Sequence, residues 1–176
     1  MQFDIESFKN NFRDGARANL FYYKPAVPAL VQNDIGLEKM TYLVKSTSLP
    51  MRSLEEVLVQ WQGFDFPFAG KSTFSEFTMT FNVDREAKVK KTFENWINLI
   101  HNPETNTYAL TEMYMIDQRI QLLGYQGEVV LEYKLHNAWP RESGPIELSY
   151  DSTEIATFDV TWRYTHHTLS YSESGA

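Results

Sequence analysis

The sequence predicts a mainly β fold: a β-sandwich or barrel of two packed antiparallel sheets with one flanking α-helix. Three observations point there. Aromatic residues are abundant, with 12 Phe, 10 Tyr and 4 Trp in 176 residues, and such side chains suit pleated strands and protein interfaces. Alternation with a period of two recurs along the chain, whereas only one segment carries a strong helical period. The connections between strands are mostly hairpin-sized, which favours antiparallel pairing with a helix laid on the sheet. The length fits one domain, expected over residues 1–166, with a polar tail at 167–176 expected to fray.

The elements follow in order. Ile5, Phe8 and Phe12 are spaced three and four apart, which predicts a short amphipathic helix over 3–12 that needs something to pack on. A short strand is expected at Asn19–Tyr23, then a loop through Pro25, Pro28 and Gly36. Thr41–Ser46 reads as a strand closed by Leu49-Pro50. In Glu56–Trp61, Val57, Val59 and Trp61 share one strand face. Residues 63–70, which hold Phe64, Phe66, Pro67 and Phe68, read as a loop.

Phe77–Val83 is the cleanest strand. Phe77, Met79, Phe81 and Val83 face one way, and Glu76, Thr78, Thr80 and Asn82 the other, the pattern of a sheet with one buried face. The period then changes. Val89, Phe93, Trp96, Ile97 and Ile100 form one face of a helix from about Arg85 to His101, with Asp84 as N-cap and Asn102-Pro103 as the stop. Plain core packing is expected for most of that stripe, with contact to a neighbouring subunit as the alternative for a minority of it.

Glu112–Leu123 and Glu128–Leu135 read as strands joined by a hairpin at Gly124 to Gly127. A loop follows from Trp139-Pro140 to Gly144-Pro145. A short strand at Ile146–Tyr150 and a turn at Asp151–Thr153 come next. In the last strand, Phe158, Val160, Trp162 and Tyr164 alternate with Thr157, Asp159, Thr161 and Arg163.

The chemistry the sequence offers is thin. There is no cysteine, so disulfides, thiolate metal sites and thiol catalysis are excluded, which sits easily with a reducing cytosol. Met1 to Gly15 lacks the apolar centre of a secretory signal, and no stretch approaches the ~20 apolar residues of a membrane span. The formal net charge of −7 argues against a protein that grips nucleic acid, which usually presents a basic face.

No GxSxG, P-loop or dinucleotide fingerprint occurs. His166 and His167 are adjacent in a strand-like stretch and point to opposite faces, so they cannot share a metal. His101 ends a helix, where a cation suits the dipole. Glu128 and Glu132 could be read as a carboxylate pair, but a solvated strand face with Lys134 beside them explains them more simply. Asp151-Ser152-Thr153-Glu154 reads as a turn rather than as an acid beside a nucleophile. No catalytic residue, metal ligand or cofactor site is expected.

Six segments in order carry a resemblance. They are Arg17-Ala18-Asn19-Leu20-Phe21, Lys45 to Pro50, Thr73 to Phe81, Phe93-Glu94-Asn95-Trp96, Asn137-Ala138-Trp139-Pro140, and Leu148 to Ser152 with Glu154 to Thr161. Over about residues 15 to 165 the chain resembles the tail tube proteins of contractile-tailed bacteriophages of the T4 type. The loop Pro25–Gly36 and the tail after His167 look longer than that pattern.

The resemblance implies a structural subunit rather than an enzyme. Its hexameric rings would stack into a hollow tube that conducts DNA into the host. It implies assembly in the host cytoplasm and residence in the virion tail. The partners implied are further copies of the chain, a tail sheath protein, baseplate and tail terminator proteins, and genomic DNA that passes without tight binding. A baseplate tube protein, or the tube of a contractile injection or secretion system, is the alternative; a small β-barrel ligand binder or enzyme ranks below it.

Two residue sets follow as expectations. The polar strand faces, Glu76, Thr78, Thr80, Glu128, Glu132, Asp159 and Thr161, are candidates to line the bore, where an acidic surface would avoid holding a polyanion. The aromatics Phe8, Phe12, Phe64, Phe66 and Phe68 are candidates for subunit and ring contacts.

Overall fold

The computed structural model describes residues 5–12, 15–31 and 37–171. Helix α1 spans Ile5–Phe12 and strand β1 spans Phe21–Lys24. Residues 32–36 of the expected Pro25–Gly36 loop lie outside the described residues. Helix α2, Leu37–Leu43, runs directly into β2, Val44–Thr47. The strand expected from Thr41 therefore begins at Val44. Leu37, Met40 and Leu43 recur at helical spacing and pack into the core, so a helical face absorbs the start of that strand.

Strands β3, Arg52–Trp61, and β4, Phe64–Phe74, form a long hairpin. Residues 63–70 are thus mostly strand rather than loop. Gln62 and Gly63 both take positive φ, 48° and 85°, as a two-residue turn matched to the strand twist requires. Pro67 is tolerated because β3 and β4 pair only with each other among the described residues, so no third strand needs its missing N–H. Gly70 sits beside a register irregularity. A Cβ there would lie 2.9 Å from Val57 Cγ2 and 3.0 Å from the Glu55 carbonyl oxygen.

Strand β5, Phe77–Asn82, is followed by helix α3, Lys88–Ile100. The N-cap position is Ala87 at φ 50°, not Asp84. Asp84 still serves the helix start, because its Oδ1 accepts the Val89 N–H at 3.2 Å. The short pair β6, His101–Asn102, and β7, Thr107–Tyr108, leads to a one-turn helix α4, Thr111–Tyr114. Strand β8 is Ile116–Leu123, shorter than expected at its start because α4 occupies Glu112.

Strand β9 runs from Val129 to Ser143, straight through the Trp139-Pro140 segment expected to be a loop. Ile146–Tyr150 is irregular rather than a strand, and a turn lies at Tyr150-Asp151. Strands β10, Thr157–Arg163, and β11, His166–Tyr171, complete the fold. The expected fraying from His167 is corrected by β11, which pairs with β9 through Tyr171; residues 172–176 lie outside the described residues.

The main sheet has seven antiparallel strands in the order β1-β8-β9-β10-β5-β2, with β11 also on β9. Strand β9 belongs to two halves. Its first part pairs with β8 and β11, and its second with β10. Asn137 divides them at φ 54°. The two terminal strands β1 and β2 do not pair, so this is a bent, two-halved sheet and not a closed barrel.

The sheet's inner side and α3 make the core. Phe93 lies 5.1 Å from Phe81, 6.1 Å from Phe158 and 5.8 Å from Trp162, centroid to centroid. Trp96 meets Trp162 edge-on at 5.6 Å and donates Nε1–H to the Tyr114 carbonyl at 2.9 Å. Such ring contacts add to the burial of apolar area, which dominates the stability of a core like this. Lys90 fixes the other side of the helix. Its Nζ donates to Ser143 Oγ at 2.6 Å and to the Gly144 carbonyl at 2.7 Å, and pairs with Glu94 at 2.8 Å.

Candidate functional site

Two surfaces remain once the core is assigned. The first is the polar side of β5 and β10. Phe77, Met79, Phe81, Phe158, Val160 and Trp162 are buried, so Thr78, Thr80, Asp159 and Thr161 take the opposite side. The register sets Thr78 beside Thr161 and Thr80 beside Asp159. Thr80 donates to Asp159 Oδ1 at 2.7 Å. Glu76 precedes β5 on this same side and carries two cations: Arg141 from β9, in a close ion pair, and Arg163 from β10 at 3.9 Å. These arginines escaped the sequence reading. Their signal was available for Arg163, which alternates with Trp162, but not for Arg141, which a bulge between Pro140 and Glu142 places there.

Glu128 and Glu132 are not gathered with this group. Glu132 lies on the same side of β9 but before Asn137, where Gln121 Nε2 donates to it. Glu128 is exposed at the β8–β9 turn, its Oε2 accepting the Gln126 N–H at 2.8 Å. Beside Glu132, Lys134 pairs with Asp117 at 2.9 Å. Partial burial pushes the Asp117 carboxyl up, but hydrogen bonds from Lys134 and the Asn137 N–H, with the charges of Lys134 and His136, outweigh it and hold it below its usual range.

His136 stacks on His166 at 4.4 Å, whereas His167 turns inward against Phe74, Tyr133 and Tyr164. The two adjacent histidines therefore do take opposite sides. Among the described residues no group of three His, Asp or Glu side chains is placed to hold a metal ion.

The second surface is the β3–β4 arm. The register pairs Val57 with Phe68, Val59 with Phe66, and Trp61 with Phe64, all on one face. Each is exposed, Trp61 to 65% and Phe64 to 70%. Among the described residues this apolar strip lies exposed on a ribbon that pairs with no further strand. Sequence alternation had placed Val57, Val59 and Trp61 together. The matching alternation of the phenylalanines was masked by Pro67 and the flanking glycines. On α1, Phe8 and Phe12 stack at 5.3 Å and are also exposed.

The family model for phage tail tube proteins matches residues 7–170. The chain belongs to the phage tail tube protein family. Two relatives illustrate the distance. The chain is 31% identical to the tail tube protein of Serratia phage KSP90 over 69% of its own length and 70% of that protein's. It is 27% identical to the tail tube protein gp19 of Enterobacteria phage T4 over 84% and 88%. Among solved structures, the fold is similar to a chain of the sheath–tube complex of the extracellular contractile injection system PVC, at a TM-score of 0.66 and 17% identity, covering 97% of this chain and 100% of that one. It is likewise similar to the tube-terminating cap of the anti-feeding prophage, at 0.65 and 19%, covering 89% and 91%.

A phage tail tube protein is a structural component of the virion tail, and this chain is one. No helix among the described residues is long and apolar enough to cross a membrane.

Proposed function

We propose that this tail tube protein works as a non-enzymatic ring subunit whose copies close into hexamers and stack into a hollow tube, with the polar side of β5 and β10 facing the bore. Glu76, Thr78, Thr80, Asp159 and Thr161 line it, Glu132 extends that side along β9, and Glu128 stands at the β8–β9 turn beyond it. Duplex DNA crosses the bore without being held. The exposed face of the arm, with Phe64, Phe66 and Phe68, and the Phe8–Phe12 pair of α1 provide contacts between subunits and between rings. A sheath protein surrounds the tube, and baseplate and terminator proteins close its ends.

The observation that carries this reading is the arm. Its apolar face is too large to leave in water and has no cover within the described subunit. Burial of aliphatic and aromatic side chains between copies is worth ~25 cal/mol per Å² of apolar area, less the cost of association. The sheet edges β1 and β2 add unpaired backbone that assembly can cover.

The rival role is that of a baseplate tube protein. The chain is 32% identical to the T4 baseplate tail-tube junction protein gp54, but over only 27% of that protein's length. It spans 88% of the T4 tail tube protein, which favours the repeating subunit. Negative-stain microscopy of the purified protein tests the reading. Rings or tubes with a central hole are expected; featureless monomers at high protein concentration count against it.

A further inference from the structure

On the proposed bore side two arginines share one carboxylate. Arg141 lies on β9 and Glu76 at the start of β5, with β10 between them. The Arg141 guanidinium reaches across β10 to the Glu76 carboxylate, and Arg163 on β10 approaches the same Oε2 at 3.9 Å. One carboxylate thus serves two guanidinium groups from two strands. The three side chains are half-exposed, and such solvent-screened pairs contribute little to stability. Stability alone gives little reason for a single acid at the focus of two arginines.

The pair matters more for what a polyanion would meet. Arginine is the side chain best shaped to grip phosphate, through a planar fork of donors. Two such forks repeated around a ring would hold duplex DNA, and the gain from counterion release would grow with each contact. The Glu76 carboxylate engages one Arg141 donor and lowers the net charge of the three side chains from +2 to +1. On the same side, Asp159 adds a further carboxylate, held by Thr80 at 2.7 Å.

We propose that Glu76 is a shielding residue: it occupies Arg141 and Arg163 so that the side of the sheet carrying them does not bind DNA phosphates. This rests on the bore placement argued above. It also sharpens what low affinity for DNA requires here, which is a carboxylate set locally between two arginines rather than a uniformly acidic wall.

The test is retention of a short fluorescent duplex by assembled tubes, measured by co-sedimentation across a salt series. Wild-type tubes should retain little. Glu76→Gln and Glu76→Ala tubes should bind at least about tenfold more tightly at low salt. Their log–log salt dependence should steepen by about two per duplex site, from two freed arginines at roughly 0.9 per phosphate contact. The triple variant Glu76→Gln, Arg141→Gln, Arg163→Gln should return to wild-type behaviour. Where a variant does not assemble, the free subunit is titrated with the same duplex by fluorescence anisotropy, and the same order is expected.

Equal binding by wild type and Glu76→Gln overturns the proposal, as does a gain that the triple variant keeps. Bead-bound nuclease, too large to enter a tube, separates the two ideas. Retained duplex that resists it supports both. Retained duplex that is digested supports the shielding role and overturns the bore placement.

Discussion

The Tyr23 hydroxyl donates to Gln118 Oε1 at 2.7 Å inside the core, joining β1 to β8 away from the backbone ladder. Gln118 also accepts the Ala26 N–H at 3.1 Å and donates Nε2–H to the Ala26 carbonyl at 2.6 Å. One buried amide therefore satisfies a phenol and both backbone groups of a residue in the segment after β1. Burial drives the Tyr23 hydroxyl pKa far up, so it stays a neutral donor.

Removing that amide should be expensive. Gln118→Leu strands the Tyr23 hydroxyl and the Ala26 backbone groups in a dry site, at a cost of about 2–3 kcal/mol. Tyr23→Phe removes one bond only and should cost about 1 kcal/mol. Urea denaturation of the unassembled subunit measures both, and a cost for Gln118→Leu no larger than that for Tyr23→Phe would show that the amide is not the organising group.

How much of this was readable beforehand depends on where each element gets its order. Phe77–Val83 and the Val89–Ile100 stripe were legible because they pack on the core, and burial writes its period into the residues. The arm was half-legible. Val57, Val59 and Trp61 alternate cleanly, but Phe64–Phe74 holds Pro67, tolerated because β3 and β4 pair only with each other among the described residues, and Gly70, where a Cβ would crowd Val57. Strand β11 was missed because its pairing with β9 is mostly backbone ladder beneath polar side chains. Arg141 reaches Glu76 through a bulge, and register shifts leave no mark in composition. The family resemblance carried the tube function; alternation alone gave only polar faces.

The core prediction centres on Phe93, which touches Phe81, Phe158 and Trp162. Phe93→Ala should destabilise the subunit by about 3–5 kcal/mol. Near-ultraviolet circular dichroism should report the loss of the Trp96–Trp162 arrangement before secondary structure is lost. A variant with wild-type stability would mean that α3 is not the lid of the sheet.

Acid should weaken the base of the arm. Burial, together with the positive charges of Arg52 and His166, pushes the His167 imidazole below its usual pKa. It is packed among Phe74, Tyr133 and Tyr164. The unfolded chain then takes up a proton first, so this contribution is present above about pH 6.5 and is lost as the pH falls through the lowered native value. Thermal unfolding should show a midpoint that drops over that acid range in wild type. The drop should be shallower in His167→Phe; an unchanged slope would remove His167 from the account.

The arm should matter to assembly and not to folding. Phe64→Ser combined with Phe66→Ser and Phe68→Ser alters side chains that lie in water in the isolated subunit, so its stability should change by less than about 1 kcal/mol. Assembly measured by light scattering should fail. Wild-type assembly kinetics in the triple variant would dismiss the arm as a contact.

The most direct test is a cryo-electron microscopy reconstruction of the particle that the purified chain forms. The expected result is a hollow tube of stacked six-membered rings, with Thr78, Thr80, Asp159 and Thr161 on the bore wall and the Val57–Phe68 face of the arm buried against another copy. A reconstruction with those polar residues on the outer wall, or with the arm's aromatic face left in solvent, would contradict the account.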